Sequence, residues 1–223
     1  MLNILYFRKE ITGGTLMVGG LDENGNPGKY KFPGILKSKK RSSLFLVPGT
    51  IWDFTVTGNT KEFIVPREFT LHLAPFDAET PYQELLPLGF LIKPLVSLKV
   101  SEANQPLFQK LYQVLSIWQD STAIQKEHIL NRFYLRFLNS MGLLHYSENC
   151  LDCGDSVDPQ TPYLLDEGSL CSQCIKKVPV YPELTLPGPW VNVHYNSYQN
   201  SYTKIPESKT YRENILKFLT LNI

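Results

Sequence analysis

Over its first 75 residues the chain alternates apolar and polar positions in short runs. "LNILYF", "TLMVGGL", "KYKFPGIL", "TIWDFTVT" and "EFIVPREFTLHL" are rich in Ile, Val, Phe, Thr, Tyr and Trp, side chains that suit a half-buried pleated surface. Turn chemistry separates them. "DENGNPG" carries two Asn and two Gly between the second and third runs, and "TGNT" lies between the fourth and fifth; both suit tight reversals. Five short strands in this length predict a small barrel. An OB-fold is the commonest five-stranded candidate, and an SH3-like barrel has the same periodicity.

Beyond residue 75 the apolar period lengthens. "PFDAETPYQELL" sets Pro, Asp and Thr ahead of an apolar run, as at a helix start. Pro87 and Pro94 are expected to break or kink a single long helix there. "PLFQKLYQVLSIWQD" aligns Leu107, Leu111, Val114, Leu115 and Trp118 on one helical face. "STAIQKEHILNRFYLRFLNSMGLL" aligns Ile129, Leu130, Phe133, Phe137, Leu138 and Met141, with Gly142 placed to end the helix. Residues 76–145 therefore predict a small helical bundle. The segment after Cys174 is rich in Pro, Tyr and Asn and is expected to be mostly irregular. It is followed by a short helix with Ile215, Phe218 and Leu219 inward. The expected fold is α+β in several parts: an OB-fold-like β-barrel domain at 1–75, then a helical domain at 76–223 that carries a cysteine hairpin at 148–177.

Composition changes this picture little. The chain has 223 residues, 43% of them apolar, and a formal net charge of +1, so any basic surface has to be local. "MLNILYFRKEITGG" lacks a basic stretch leading into an apolar one. The most apolar stretch, "LLPLGFLIKPLVSL", is too short and too interrupted to span a bilayer. The protein is expected to be soluble and cytoplasmic, with no membrane partner.

Cysteine usage matters more. Cys150, Cys153, Cys171 and Cys174 are the whole supply, spaced C-x2-C-x17-C-x2-C. This spacing falls within the window for a four-thiolate zinc site, and Gly154 suits the tight turn after the first pair. Four thiolates would complete a tetrahedron and leave no open position. Two disulfides would need an oxidising compartment. A redox-active pair belongs in a βαβ setting that is missing here; an iron–sulfur cluster is the remaining option. The hairpin reads as a staple for a loop with little core. The acidic residues around it (Glu148, Asp152, Asp155, Asp158, Asp166 and Glu167) form an expected solvated face.

One local excess of charge stands out. "KYKFPGILKSKKR" holds Lys29, Lys31, Lys37, Lys39, Lys40 and Arg41 with no acidic residue. Such a cluster can neutralise phosphates. Tyr30, Phe32, Phe45 and Trp52 lie nearby, and exposed rings can stack on unpaired bases. For Phe32 and Trp52, however, burial in the core is the expectation. No phosphate-binding glycine loop, G-x-S-x-G or H-E-x-x-H occurs, and Gly13-Gly14 and Gly19-Gly20 lack a Walker Lys. His72, His128, His145 and His194 are scattered, with His128 on the expected polar side of its helix. The chain reads as a non-enzyme.

The order of parts resembles the RecO family of bacterial DNA repair proteins. The resemblance covers residues 1–175. It rests on Arg132, Phe133, Leu135, Arg136, Leu138, Gly142 and Leu143 running into Cys150, Cys153 and Gly154, and on "KKRSSLFLVPGTIWDF" in the barrel. It implies a recombination mediator that binds single- and double-stranded DNA and anneals complementary strands. Such a protein works with RecR-type and sometimes RecF-type proteins to load a recombinase onto strands coated with single-strand-binding protein. By position, Lys37, Lys39, Lys40 and Arg41 would contact phosphates and the four cysteines would hold zinc. The other reading is an adaptor that binds protein, not DNA, through the barrel and zinc ribbon. Family members usually place more helix after the hairpin than this chain offers.

Overall fold

The computed structural model describes residues 1–37, 46–59, 62–77, 79–80, 82–97, 104–164, 167–179, 185–188, 191, 210–213 and 215. By compactness the chain forms two units, Met1–Ser121 and Thr122–Ile223. In the first unit the five apolar-alternating runs become β1 (Leu2–Ile11), β2 (Thr15–Asp22), β3 (Pro27–Phe32), β4 (Ile51–Asn59) and β5 (Ile64–Leu73). They close in the order β1-β2-β3-β5-β4. β1 pairs antiparallel with β2 along its length and with β4 through Leu2–Ile4, while a single parallel pair, Tyr30 with Ile64, joins β3 to β5. This is a closed five-stranded barrel of OB type.

Closure fixes which side of each strand is inside. On β3, Tyr30 and Phe32 point in and are at most 3% exposed. The intervening Lys29 and Lys31 therefore stand on the outer face. Leu5, Leu16, Val18, Ile35, Leu46, Trp52 and Phe54 complete the core, with Phe69 packed against it. The rings meet at an angle: Tyr30–Phe54 centroids are 4.7 Å apart and Phe32–Phe69 5.2 Å, the tilted and edge-on contacts that aromatic quadrupoles favour. The polar tips inside are satisfied. Tyr30 donates from its hydroxyl to Asn3 Oδ1, and Trp52 donates from Nε1 to Thr50 Oγ1 at 2.9 Å. Burial, followed by the Asp22 carboxylate, pushes the Tyr30 phenol well above its ordinary value.

The Asn/Gly-rich turn at 22–28 forms as its sequence demands. Asp22 Oδ1 accepts from the backbone N–H of Asn24 at 2.9 Å and of Asn26 at 2.8 Å, and Gly25 takes φ +81°. The Asn104 N–H donates to Gly25 O at 2.9 Å. Asn104 in turn caps α2 (Gln105–Trp118), accepting from the Leu107 N–H. A Cβ at Gly25 would run into the backbone of Asn104 and Gln105.

α1 spans Tyr82–Ser97 as one helix with Pro87 and Pro94 inside it, so the prolines do not divide it. Each proline removes one backbone hydrogen bond. Set against that, Leu88, Leu91, Ile92 and Leu95 form a stripe at i, i+3, i+4 and i+7, each at most 4% exposed. Burying each of these side chains is worth about 1.5–3 kcal/mol, enough to hold the segment helical. α2 buries Leu107, Phe108, Leu111, Leu115 and Trp118.

In the second unit, α3 (Ala123–Ser140) opens on a capping box between Thr122 and Gln125. It ends at Gly142, φ +69°, where the Leu143 N–H reaches Leu138 O at 2.9 Å. Met141, expected on the apolar stripe, is 39% exposed, because it lies at the cap, past the last helical turn. His128 is buried, not solvated; Asn131, Tyr134 and Leu135 are buried too, so α3 is enclosed on more than one side. Burial, with the Arg132 charge beside it, lowers the His128 pKa. Arg212, on a helical stretch at 210–213, is 2% exposed. It donates to Glu127 Oε2 at 2.8 Å and Asn131 Oδ1 at 2.5 Å. Ile215 is fully buried; Phe218 and Leu219 lie outside the described residues. Two short strands, β6 (Tyr163–Leu164) and β7 (Thr185–Leu186), pair antiparallel. Among the described residues no helix is long and apolar enough to cross a membrane.

The Gly25 contact gives a test of this packing. Gly25→Ala should destabilise the protein by about 2 kcal/mol or more, since it adds a backbone collision to the left-handed strain. Gly13→Ala, at φ +88° with open space around it, should cost only the strain, about 1 kcal/mol. Urea midpoints of the two variants separate these effects.

Candidate metal centre and basic barrel face

The cysteine hairpin is built from two tight turns. In the first, the Gly154 N–H donates to Cys150 O at 2.9 Å with Gly154 at φ +81°, and the Cys150 N–H donates to Asp155 O at 2.6 Å. In the second, the Ile175 N–H donates to Cys171 O at 3.0 Å as the chain enters a 3-10 turn, Cys174–Lys177. Gly168 lets the returning chain come close: a Cβ there would lie 2.9 Å from His145 O.

All four sulfurs lie within 4.8 Å of one another, and all four are free thiols. Cys153 and Cys171 Sγ are 3.7 Å apart. A disulfide needs about 2.05 Å. Sulfurs around one tetrahedral ion, bonded at about 2.3 Å, sit about 3.8 Å apart. The donor set fits a metal and not two disulfides. Cys150, Cys171 and Cys174 are buried, whereas Cys153 is exposed at one corner. The hairpin's core is small, consisting of three of these cysteines with Leu164 and Leu170, and Val157, Ile175 and Val178 against them.

The electrostatics point the same way. Burial acts to raise the Cys150 thiol, but the N–H groups of Cys153, Cys171 and Asp152 outweigh it and bring the pKa down to about 6. At Cys153 the Asp155 N–H acts downward, yet burial and the neighbouring sulfurs prevail and hold it up at about 11. The Cys174 and Gln173 N–H groups lower Cys171. The Asp152 side chain, then burial and the other sulfurs, raise Cys174. Two thiols are thus shifted below their ordinary value and two above it. A dication at the centre, which deprotonates coordinating thiols outright, removes that conflict. Lys177 Nζ lies 4.0 Å from Cys174 Sγ and 3.7 Å from Asp152 Oδ2, so this lysine is turned towards the cluster. Glu148, Asp152, Asp155, Asp158 and Glu167 are exposed; Asp166 lies outside the described residues.

The basic residues separate into two groups. Lys29 and Lys31 share the outer face of β3. Lys37 closes a 3-10 turn, Ile35–Lys37, and is exposed. Its aliphatic stem passes the β1–β2 turn, where a Cβ on Gly14 would lie 2.8 Å from Lys37 Cγ. Lys39, Lys40 and Arg41 lie outside the described residues, as does Phe45. Tyr30, Phe32 and Trp52 are core residues and present no face for stacking. Tyr6, Phe7 and Phe63 are half-buried aromatic residues of the barrel; the bulge between Leu5 and Phe7 puts Tyr6 and Phe7 out of step with strict alternation. Of the histidines, His72 Nε2 lies 3.0 Å from Tyr112 Oη at the surface, His145 is exposed, and His194 lies outside the described residues.

The chain thus combines a small closed barrel, a run of helices and a hairpin with four converging thiols. Residues 95–187 match the family model described as "Recombination protein O C terminal". The matched segment starts near the end of α1, takes in α2, α3 and all four cysteines, and ends just past β7. This segment of the chain is similar to the C-terminal part of RecO-family proteins. No curated protein matches it.

The hairpin makes its own prediction. The purified protein should take up one cobalt(II) ion per chain with a thiolate charge-transfer band. Cys171→Ser should weaken metal binding by about tenfold or more, because the ligand set is part of the folded state. Stripping the metal with a chelator should open the hairpin at 148–177 to limited proteolysis. A chain that binds no metal and resists protease there would contradict the reading.

Proposed function

We propose that this protein is a non-catalytic DNA-binding recombination mediator of bacterial DNA repair. In this reading it anneals complementary single strands and helps load the recombinase onto single-stranded DNA in the cytoplasm. RecR-type and RecF-type proteins and single-strand-binding protein are its expected partners. The observation that carries the reading is an OB-type barrel, in a chain whose residues 95–187 match the RecO C-terminal model, with a third strand that sets Lys29 and Lys31 on its outer face. OB-type barrels bind oligonucleotides through the faces of strands 2 and 3 and the adjoining β1–β2 and β4–β5 loops. Here Lys37 lies against the β1–β2 turn.

The mechanism needs no catalytic group. Strands resist pairing because their phosphates repel. Lysines on β3, together with the basic stretch at 37–41, would neutralise phosphates and release condensed counterions. Two strands held on one protein then meet at raised local concentration. The barrel at 1–75 is the DNA-binding domain in this reading, and 76–223 is the helical domain that carries the hairpin at 148–177.

Cys150, Cys153, Cys171 and Cys174 would hold zinc. Zinc with four thiolates is closed to water and substrate, so it contributes structure, not Lewis-acid chemistry. It replaces the apolar mass that the hairpin lacks. The exposed carboxylates on the hairpin would repel a phosphate backbone, which leaves the barrel as the DNA-binding face.

At low salt the protein should bind a labelled single strand with a dissociation constant of about 1 µM or tighter, and affinity should fall steeply with salt. Replacing Lys29 and Lys31 together with Ala should weaken binding and reduce the slope of log K against log salt by about 1.4, roughly 0.7 per lost phosphate contact. Replacing Lys39, Lys40 and Arg41 with Ala should act in the same direction. Anisotropy titrations across a salt series measure all three. Absence of binding by the parent protein at low salt would refute the proposal.

A further inference from the structure

The four thiols of the hairpin are not shielded evenly. We infer that Cys153 is a thiol oxidation site: a peroxide reaches its sulfur, Cys171 resolves the product into a disulfide, and the hairpin gives up its metal ion and opens. This inference rests on the metal reading above and adds a chemical trigger that undoes the staple.

Three corners of the cluster are closed. Cys150, Cys171 and Cys174 are 3%, 8% and 4% exposed, whereas Cys153 is exposed. Lys177 Nζ also stands 4.0 Å from the Cys174 sulfur. The local fold accounts for the difference. Asn149 bridges to Ser156, so residues 150–155 form a loop that this bridge closes. Cys150 lies beside the bridge, and its N–H is bonded to Asp155 O. Cys153 lies at the tip, where Leu151, Asp152, Gly154 and Asp155 are exposed with it. A Cβ on Gly154 would meet nothing within 4 Å, so no neighbouring segment covers that corner.

Exposure decides which sulfur a small oxidant meets first. Cysteine oxidation follows thiolate character and access, and oxidation-sensitive sites place a second cysteine beside the exposed one. A metal-ligating cysteine is a thiolate, so the four ligands share that character and differ in access. Cys171 Sγ lies 3.7 Å from Cys153 Sγ. A disulfide needs about 2.05 Å, a closure that side-chain rotation and a small shift of the exposed tip supply.

The chemistry closes in two steps. The Cys153 thiolate attacks one oxygen of hydrogen peroxide: an S–O bond forms, the O–O bond breaks, and hydroxide leaves and takes a proton from solvent. The Cys171 thiolate then attacks the Cys153 sulfur: an S–S bond forms, the S–O bond breaks, and a second hydroxide leaves and is protonated. Two thiolates have lost two electrons, and the peroxide has become two waters. Cys150 and Cys174 remain, half of the set that a closed tetrahedral site requires. The buried core of the hairpin is largely cysteine, so loss of the metal removes what holds the loop together.

The test uses the full chain, purified under reductant and loaded with zinc, with hydrogen peroxide in modest excess as the probe. A chromogenic chelator reads the zinc released. The parent protein should release its zinc as one disulfide forms, and peptide mapping should place that disulfide between Cys153 and Cys171. A dithiol reductant with added zinc should restore protease resistance to residues 148–177. Cys153→His keeps a metal-ligating side chain without the oxidisable sulfur and should slow release by about tenfold or more. Cys174→His alters a buried ligand and should release zinc at close to the parent rate. Zinc retained by the parent, equal slowing by the two variants, or a parent disulfide that leaves Cys153 reduced would overturn the inference and leave the metal reading intact. The mapping on the parent decides alone if either variant does not load zinc. A bridge from Cys153 to Cys150 or Cys174 would overturn the part given to Cys171. A reduced chain that takes up no zinc would overturn both readings.

Discussion

Closing a five-stranded sheet upon itself leaves its side chains only two places to go. β1 is bonded on both edges, to β2 along its length and to β4 at Leu2–Ile4, and every strand then has one inner and one outer side. The interior fills with Tyr30, Phe32, Trp52 and Phe54, whose polar tips find Asn3 and Thr50. The alternate positions on β3 are forced outward, and they are lysines. The barrel's stability and its candidate DNA-binding face are thus two sides of one strand. A substitution that shifted the register by one residue would bury the lysines and expose the rings.

The hairpin solves a different physical problem. With a core of three cysteines and a few aliphatic side chains, it buries too little apolar surface to offset the entropy of ordering its loop. Four converging thiols that can hold a metal ion would answer this, since the binding free energy of a structural metal is folding free energy. The carboxylates around the site stay in solvent. Charge is therefore divided within one chain of nearly zero net charge, basic on the barrel's third strand and acidic on the hairpin.

Much of this was legible in the residues, and the exceptions have physical causes. The four-cysteine cluster and the five strands rest on local spacing and period-two alternation, signals that a single sequence carries well. Phe32 and Trp52 lie in the core as expected, and Tyr30 joins them because alternation sets it on the same side of β3 as Phe32. Alternation breaks at Tyr6, where the bulge brings Tyr6 and Phe7 to the outside together. Pro87 and Pro94 suggested a break, yet the buried stripe from Leu88 to Leu95 keeps α1 whole; tertiary burial outweighs a local penalty. The contact of Arg212 with Glu127 and Asn131 bridges more than 80 residues of chain, and nothing local announces it. Lys39, Lys40 and Arg41, the densest part of the basic stretch, lie outside the described residues, so their part in the site stays on the sequence argument.

The central claim is that nucleic acid meets the outer face of the barrel while the cysteine hairpin serves as a staple. Ultraviolet crosslinking of the full chain to a thymidine oligomer, with the crosslinked peptides identified by mass spectrometry, tests this most directly. The account predicts adducts on the peptides that carry Tyr6 and Phe7, Lys29 to Lys31 and Phe63, and none between residues 148 and 177. Adducts confined to the hairpin, with the barrel peptides unmodified, would contradict it.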